Sequence, residues 1–65
     1  MKREKVLSHL SDNNCDFLRE GGKHTMYINK INGKQAPIPR HSDIKRRTVE
    51  SICSQLGIDK PSGGW

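Results

Sequence analysis

The sequence predicts a small α+β domain of order α-β-β-β-α, a three-stranded antiparallel sheet with two helices on one face. Three observations predict it. Apolar residues recur at helical spacing near both ends of the chain. Three short runs of β character lie between them. Asn, Gly and Pro punctuate the places where those runs meet.

The first helix is expected over residues 3–12. Val6, Leu7 and Leu10 repeat at three and four, while Lys5, Ser8, His9 and Asp12 lie elsewhere on the cylinder. Asn13-Asn14 ends it, because asparagine tolerates left-handed backbone angles. Residues 15–20 then alternate, with Cys15 and Phe17 on one side and Asp16 and Leu18 on the other, until Gly21-Gly22. A second strand is expected from about His24 to Asn29, rich in the β-formers Thr25, Tyr27 and Ile28. Tyr27, the sole tyrosine, is expected to pack under the helices.

Asn32-Gly33 signals a type I′ hairpin turn, which needs positive φ at both central residues. The third strand, Gln35 to Pro39, contains two prolines that cannot donate to a ladder, so it belongs at the sheet edge. From Asp43 onward the helical period returns. Val49, Ile52, Cys53 and Leu56 form one stripe, with Ser42 or Asp43 expected to cap the start. Gly57 followed by Ile58 fits a glycine C-cap with its apolar contact. The domain is therefore residues 1–58, followed by a flexible Pro-, Ser- and Gly-rich tail over residues 59–65.

A chain of 65 residues makes one small domain. Such a domain buries only roughly 60% of the surface its unfolded chain exposes. A deep pocket for an organic cofactor is not expected; a shallow surface site is. No cofactor is expected. Lys and Arg number 12 against 7 acids, a formal net charge of +5, which favours an anionic partner. Nucleic acid, an acidic protein and a membrane surface are the candidates. The membrane is the weakest, since no apolar run approaches the roughly 20 residues of a span. The start of the chain lacks the apolar core of a signal peptide, and a cytoplasmic location is expected. Cys15 and Cys53 read as small buried core residues. No Cys-x-x-Cys or His-x-x-x-His spacing preorganises a metal.

Chemistry concentrates in Gly21-Gly22-Lys23-His24-Thr25-Met26-Tyr27. Histidine gives and takes protons near neutral pH. Glycines allow close approach of a large ligand, and Lys23 adds fixed positive charge. The combination suits a site that meets a phosphate and moves a proton. Arg19 is a second nearby cation, and the Gly21 and Gly22 backbone N–H groups are further donors. Lys30, Lys34 and Arg40 flank the hairpin and third strand and extend a phosphate-tracking surface. Lys45-Arg46-Arg47 opens the last helix, where positive charge opposes the helix dipole. The bland readings are a surface histidine at a strand start, solvated lysines, and glycines that serve only the turn. His41 stands between an RNA contact and an idle loop residue; His9 reads as an ordinary helix residue.

Several of these segments together resemble the HicA-type mRNA interferase toxins. They are the first helix, Phe17-Leu18-Arg19, the Gly-Gly-Lys-His turn, Pro39-Arg40-His41-x-x-Ile44, and the terminal helix from Thr48 through Leu56-Gly57-Ile58. The resemblance spans about residues 3–58. It implies a fold similar to double-stranded RNA-binding domains and metal-independent cleavage of mRNA. It also implies neutralisation by a HicB-type antitoxin, and an essential histidine that matches His24. Members commonly carry serine before that histidine, where this chain has Lys23.

RNA supplies its own nucleophile, the 2′-hydroxyl. An enzyme must then take that proton, protonate the leaving 5′-oxygen and meet the phosphorane with positive charge. His24 suits one transfer; water, His41 or a substrate phosphate are open for the other. The site expected is His24 as catalytic residue, with Gly22, Lys23, Arg19, Lys30, Lys34 and Arg40 on RNA and no metal. Two other classes fit the same residues: a non-catalytic RNA-binding module, separated by an assay for cut ends, and a docking domain for an acidic protein, separated by salt-sensitive RNA binding.

Overall fold

The computed structural model describes residues 1–63. Helix α1 covers Arg3–Asp12, strands β1, β2 and β3 cover Cys15–Glu20, Thr25–Asn29 and Gln35–Ile38, and helix α2 covers Arg46–Leu56. The strands form one antiparallel sheet in the order β1-β2-β3. The proline-bearing β3 is thus an edge strand, as expected, and β1 is the other edge.

Both helices pack on one sheet face. Val6 and Leu10 from α1 and Val49, Ile52, Cys53 and Leu56 from α2 meet Cys15, Ala36 and Ile38 from the sheet and Ile44 from the connection. Burying each larger aliphatic side chain stabilises the fold by roughly 1.5–3 kcal/mol. Tyr27 is half-buried against this core and meets Phe17 edge-on, with ring centroids 6.4 Å apart. Cys15 and Cys53 are free, buried thiols, as the pattern predicted. Burial pushes both thiols up, which keeps them protonated and unreactive.

The strict alternation expected of β1 fails at Leu18. Phe17 pairs with Tyr27 but Arg19 pairs with Met26, so a bulge inserts one extra residue. The bulge moves Arg19 to the uncovered sheet face, with Met26, and Glu20 to the helix face, with Thr25. Without it Arg19 would point at the helices.

The two turns that carry asparagines also depart from expectation in part. Asn14 ends α1 with φ of 66°. Asn32-Gly33 is not a two-residue type I′ turn. Five residues, 30–34, separate β2 from β3, and only Gly33 of the pair has positive φ, at 76°. The Asn32 amide is committed elsewhere: it donates to Leu56 O at 3.1 Å and accepts from Lys34 N at 2.8 Å. Buried Asn29 donates to the same carbonyl at 2.9 Å. Two side chains of the β2–β3 region therefore cap the end of α2. Gly57 follows in the left-handed conformation, φ 71°, with Ile58 N–H bonded to Cys53 O at 2.9 Å. A Cβ on Gly57 would sit 2.9 Å from the Asn32 amide nitrogen, so both angle and space call for glycine.

Helix α2 starts later than the expected cap. Lys45 precedes it and offers no side-chain cap. Ser42 and Asp43 are held by the start of the chain. Lys2 pairs with Asp43, Arg3 N–H donates to Ser42 O at 2.9 Å, and Ile44 N–H donates to Met1 O at 2.8 Å. That pairing takes the proposed caps out of reach of the helix. The expected flexible tail falls partly outside the described residues, at Gly64 and Trp65. Before them, Asp59 O accepts from His9 Nε2 at 2.8 Å and Lys60 lies 3.9 Å from Glu50. Among the described residues no helix is long and apolar enough to cross a membrane.

Candidate active site

Residues 21–24 link β1 to β2 at one end of the sheet, and His24 immediately precedes the first residue of β2. Lys23 and His24 are exposed. The loop closes on itself through Gly21 N–H to His24 O at 2.8 Å. Gly21 must be glycine for this: a Cβ there would lie 2.9 Å from His24 O. The bond also occupies the Gly21 N–H, so that donor is not open to a phosphate as the sequence suggested. A Cβ on Gly22 would meet nothing within 4 Å, so the loop's outer side is open at that point.

The loop is pinned from below by Arg40. Its Nη2 lies 2.6 Å from Glu20 Oε1, 2.8 Å from Gly21 O and 3.4 Å from His24 O, and its Nη1 lies 3.4 Å from Gly22 O. Glu20 also accepts from Thr25 Oγ1 at 3.1 Å, and Thr25 accepts from Arg3 Nη2 at 3.1 Å. Arg3 Nε donates to Pro39 O at 2.8 Å. The Arg40 guanidinium, aided by the Thr25 hydroxyl, holds the Glu20 carboxyl below the usual carboxylate range. This network ties α1, β1, β2 and the segment after β3 to the loop that carries His24.

The remaining candidates differ in how committed they are. Arg19 is exposed on the open sheet face, and its Nη1 approaches within 3.7 Å of where a Gly21 Cβ would stand, so it flanks the loop. Among the described residues the side chains of Arg19, Lys23 and Lys34 have no ion-pair partner. Lys30 sits 3.1 Å from Asp16, with both side chains more than half exposed. Such a pair is worth about 0–1 kcal/mol, so a phosphate displaces it at little cost. Lys34 and Lys30 lie on the β2–β3 loop, which in an antiparallel sheet of this order is at the opposite end of β2 from His24. The sequence-predicted cations therefore divide between the two ends: Arg19, Lys23 and Arg40 near the histidine, Lys30 and Lys34 away from it.

His41 is exposed beside a groove of about 410 Å³ lined by Pro39, His41, Lys45 and Thr48 among others. Lys45, Arg46 and Arg47 are exposed at the start of α2, with Arg46 Nε 3.5 Å from Glu50. Among the described residues no three His, Cys, Asp or Glu side chains gather as a metal-binding group. Sequence reasoning missed Arg3, Glu20 and Thr25, which hold the site from beneath. Their only sequence signal is a buried-strand threonine flanked at long range by opposite charges, and a local pattern cannot show that.

A family model described as the HicA toxin of bacterial toxin-antitoxin matches residues 3–58. The match runs from the first residue of α1 to the residue after the Gly57 cap. No curated protein and no solved structure matches the chain.

Proposed function

This chain belongs to the HicA toxin family, toxins of bacterial toxin–antitoxin pairs, and we propose that it acts as a metal-independent endoribonuclease on mRNA with His24 at the reacting centre. The observation that carries the reading is the presentation of His24: an exposed imidazole on a short, internally bonded loop, next to the cations Lys23 and Arg19, which have no ion-pair partner among the described residues. A proton-transfer group, positive charge and an open outer face are what in-line cleavage by a 2′-hydroxyl needs.

The proposed reaction conserves atoms and charge without a co-reactant. The 2′-oxygen attacks phosphorus and loses its proton as the bond to the 5′-oxygen breaks, and the 5′-oxygen gains a proton. His24 carries one of these two transfers. Lys23 and Arg19 stabilise the extra charge on the phosphorane. Lys30 and Lys34, at the far end of β2, track the phosphates of the strand farther from the cut. Arg40 is already shared among four acceptors in the protein, which leaves it the smallest part in phosphate contact.

The test is to incubate the purified chain with RNA in EDTA and to identify the ends. Cleavage should persist and leave a 2′,3′-cyclic phosphate, or its hydrolysis product, opposite a 5′-hydroxyl. Loss of cutting in EDTA that magnesium restores would sink the mechanism.

Membership of the family implies an antitoxin partner. We propose that it is an acidic, HicB-like protein that covers His24. The net charge of +5 favours fast, oriented association with an acidic partner. His24 should then become protected from diethyl pyrocarbonate in the inactive complex. Equal reactivity of His24 in the free and inhibited chain would mean that the antitoxin acts by another route.

A further inference from the structure

We propose that Arg40 is a positioning residue for His24: it clamps the Gly21–His24 loop from beneath and turns two loop amides outward to face the substrate phosphate. Only the catalytic consequence rests on the reading of His24 given above; the clamp itself does not.

Three backbone carbonyls of one four-residue loop, at Gly21, Gly22 and His24, converge on a single guanidinium. Converging carbonyl dipoles repel one another unless a cation with several donors sits among them. Arginine supplies five N–H groups in a rigid plane, and lysine offers a single point charge. Glu20 Oε1, at 2.6 Å, orients that plane. Glu20 is fixed in turn by Thr25, the buried residue that directly follows His24. Thr25 is fixed by Arg3, and Arg3 returns to Pro39, the neighbour of Arg40. The contacts form a closed circuit around the base of the loop.

The circuit has a consequence for the opposite side of the loop. Peptide units are planar and, in this chain, all trans. In a trans unit the N–H points opposite to the C=O. With the Gly21 and Gly22 carbonyls directed at Arg40, the N–H groups of Gly22 and Lys23 point away from it. The loop is uncrowded here, since a Cβ on Gly22 would meet nothing within 4 Å. Two successive amides and the Lys23 ammonium then form an anion-binding concavity next to His24. Arg40 withdraws electron density through the carbonyls and so strengthens these amides as donors.

The experiment compares Arg40→Ala, Arg40→Lys and Glu20→Gln with Lys34→Ala, a variant at an ordinary phosphate contact. Arg40→Ala should lower kcat roughly 10- to 100-fold through misplacement of the histidine. KM and the dependence of binding on salt should barely move. Arg40→Lys keeps the charge but loses the planar fork, and should not restore kcat. Glu20→Gln should give a smaller loss in the same direction. Lys34→Ala should instead make the slope of log affinity against log salt shallower by about one.

A second measurement does not depend on activity. Backbone order parameters for Gly22, Lys23 and His24 should fall in both Arg40 variants, while those of Ile31, Asn32 and Gly33 stay as in the parent. Unchanged loop order together with a salt slope altered as in Lys34→Ala would overturn the proposal and make Arg40 a phosphate contact. If the parent chain cuts no RNA, the reading of His24 fails, and the order parameters still decide the clamp.

Discussion

The loops at the two ends of β2 solve the same problem with different chemistry. The β2–β3 loop is held by neutral amides. Asn29 and Asn32 both donate to Leu56 O, and each accepts a backbone N–H from its own loop. Asn29 is buried, so its bond to Leu56 O is shielded from water and ties the sheet to the end of α2. The β1–β2 loop is held by ions at the surface, with the Arg40 and Glu20 side chains 44% and 60% exposed. One end locks the fold; the other holds the loop that carries His24 while leaving the imidazole open to solvent. The difference teaches where stability and the proposed chemistry would be kept apart in a domain too small for a separate site.

The comparison is sharpest in a pair of substitutions with opposite signatures. His24→Ala removes an exposed side chain that makes no hydrogen bond or ion pair among the described residues. Cutting should fall by roughly 100-fold or more, the range for a lost proton-transfer group, while the melting temperature stays near that of the parent. Asn29→Ala leaves the Ile31 N–H without its partner and Leu56 O with a single, longer bond. Stability should fall by about 2 kcal/mol. In a domain of this size that lowers the melting temperature by roughly 10 °C. Cutting per folded molecule at low temperature should be kept. If Asn29→Ala abolished cutting while still folded, or His24→Ala melted the domain, the division between the two ends would be wrong.

What could be read from the sequence follows the same division. Elements whose signals are local emerged nearly to the residue. Val6, Leu7 and Leu10 marked α1, and Val49, Ile52, Cys53 and Leu56 marked the stripe of α2. The Gly57 cap was legible because its angle is a property of glycine itself. Features set by contacts distant in sequence were not. Ser42 and Asp43 looked like helix caps, but the strand-like pairing with Lys2 and Arg3 claims them first. Asn32-Gly33 looked like a tight hairpin because the demand of Leu56 O on Asn32 is invisible from neighbouring residues. The position of His24 at a strand start was legible from its motif. The clamp beneath it was not, since Arg3, Glu20, Thr25 and Arg40 come together only when four segments of the chain meet.

The smallest effect, and the finest probe of the comparison, is in acid. Glu20 faces Arg40 from the segment after β3 and Arg3 from α1, with the Thr25 hydroxyl from β2 between them. Both arginines favour its ionised form, and its carboxyl is held below the ordinary range. A carboxyl whose pKa is lowered by folding contributes stability in full above its unfolded pKa and loses it as pH falls through the folded value. The clamp on the His24 loop should therefore loosen only in acid below the usual carboxylate range. The Asn29 and Asn32 bonds that hold the loop at the other end involve no titratable group, and the one ion pair there among the described residues, Lys30 with Asp16, is exposed and lies outside them. Amide resonances of Gly21 through Thr25 should shift in an acid titration while those of Ile31 through Lys34 hold still, and Glu20→Gln should remove the transition from the first set. The effect is modest because the pair is exposed and screened by salt. Added salt should weaken the transition without altering the amide-held loop. If both loops moved together at one pH, the domain would be unfolding as a unit, and the ionic clamp would not be separable from the fold.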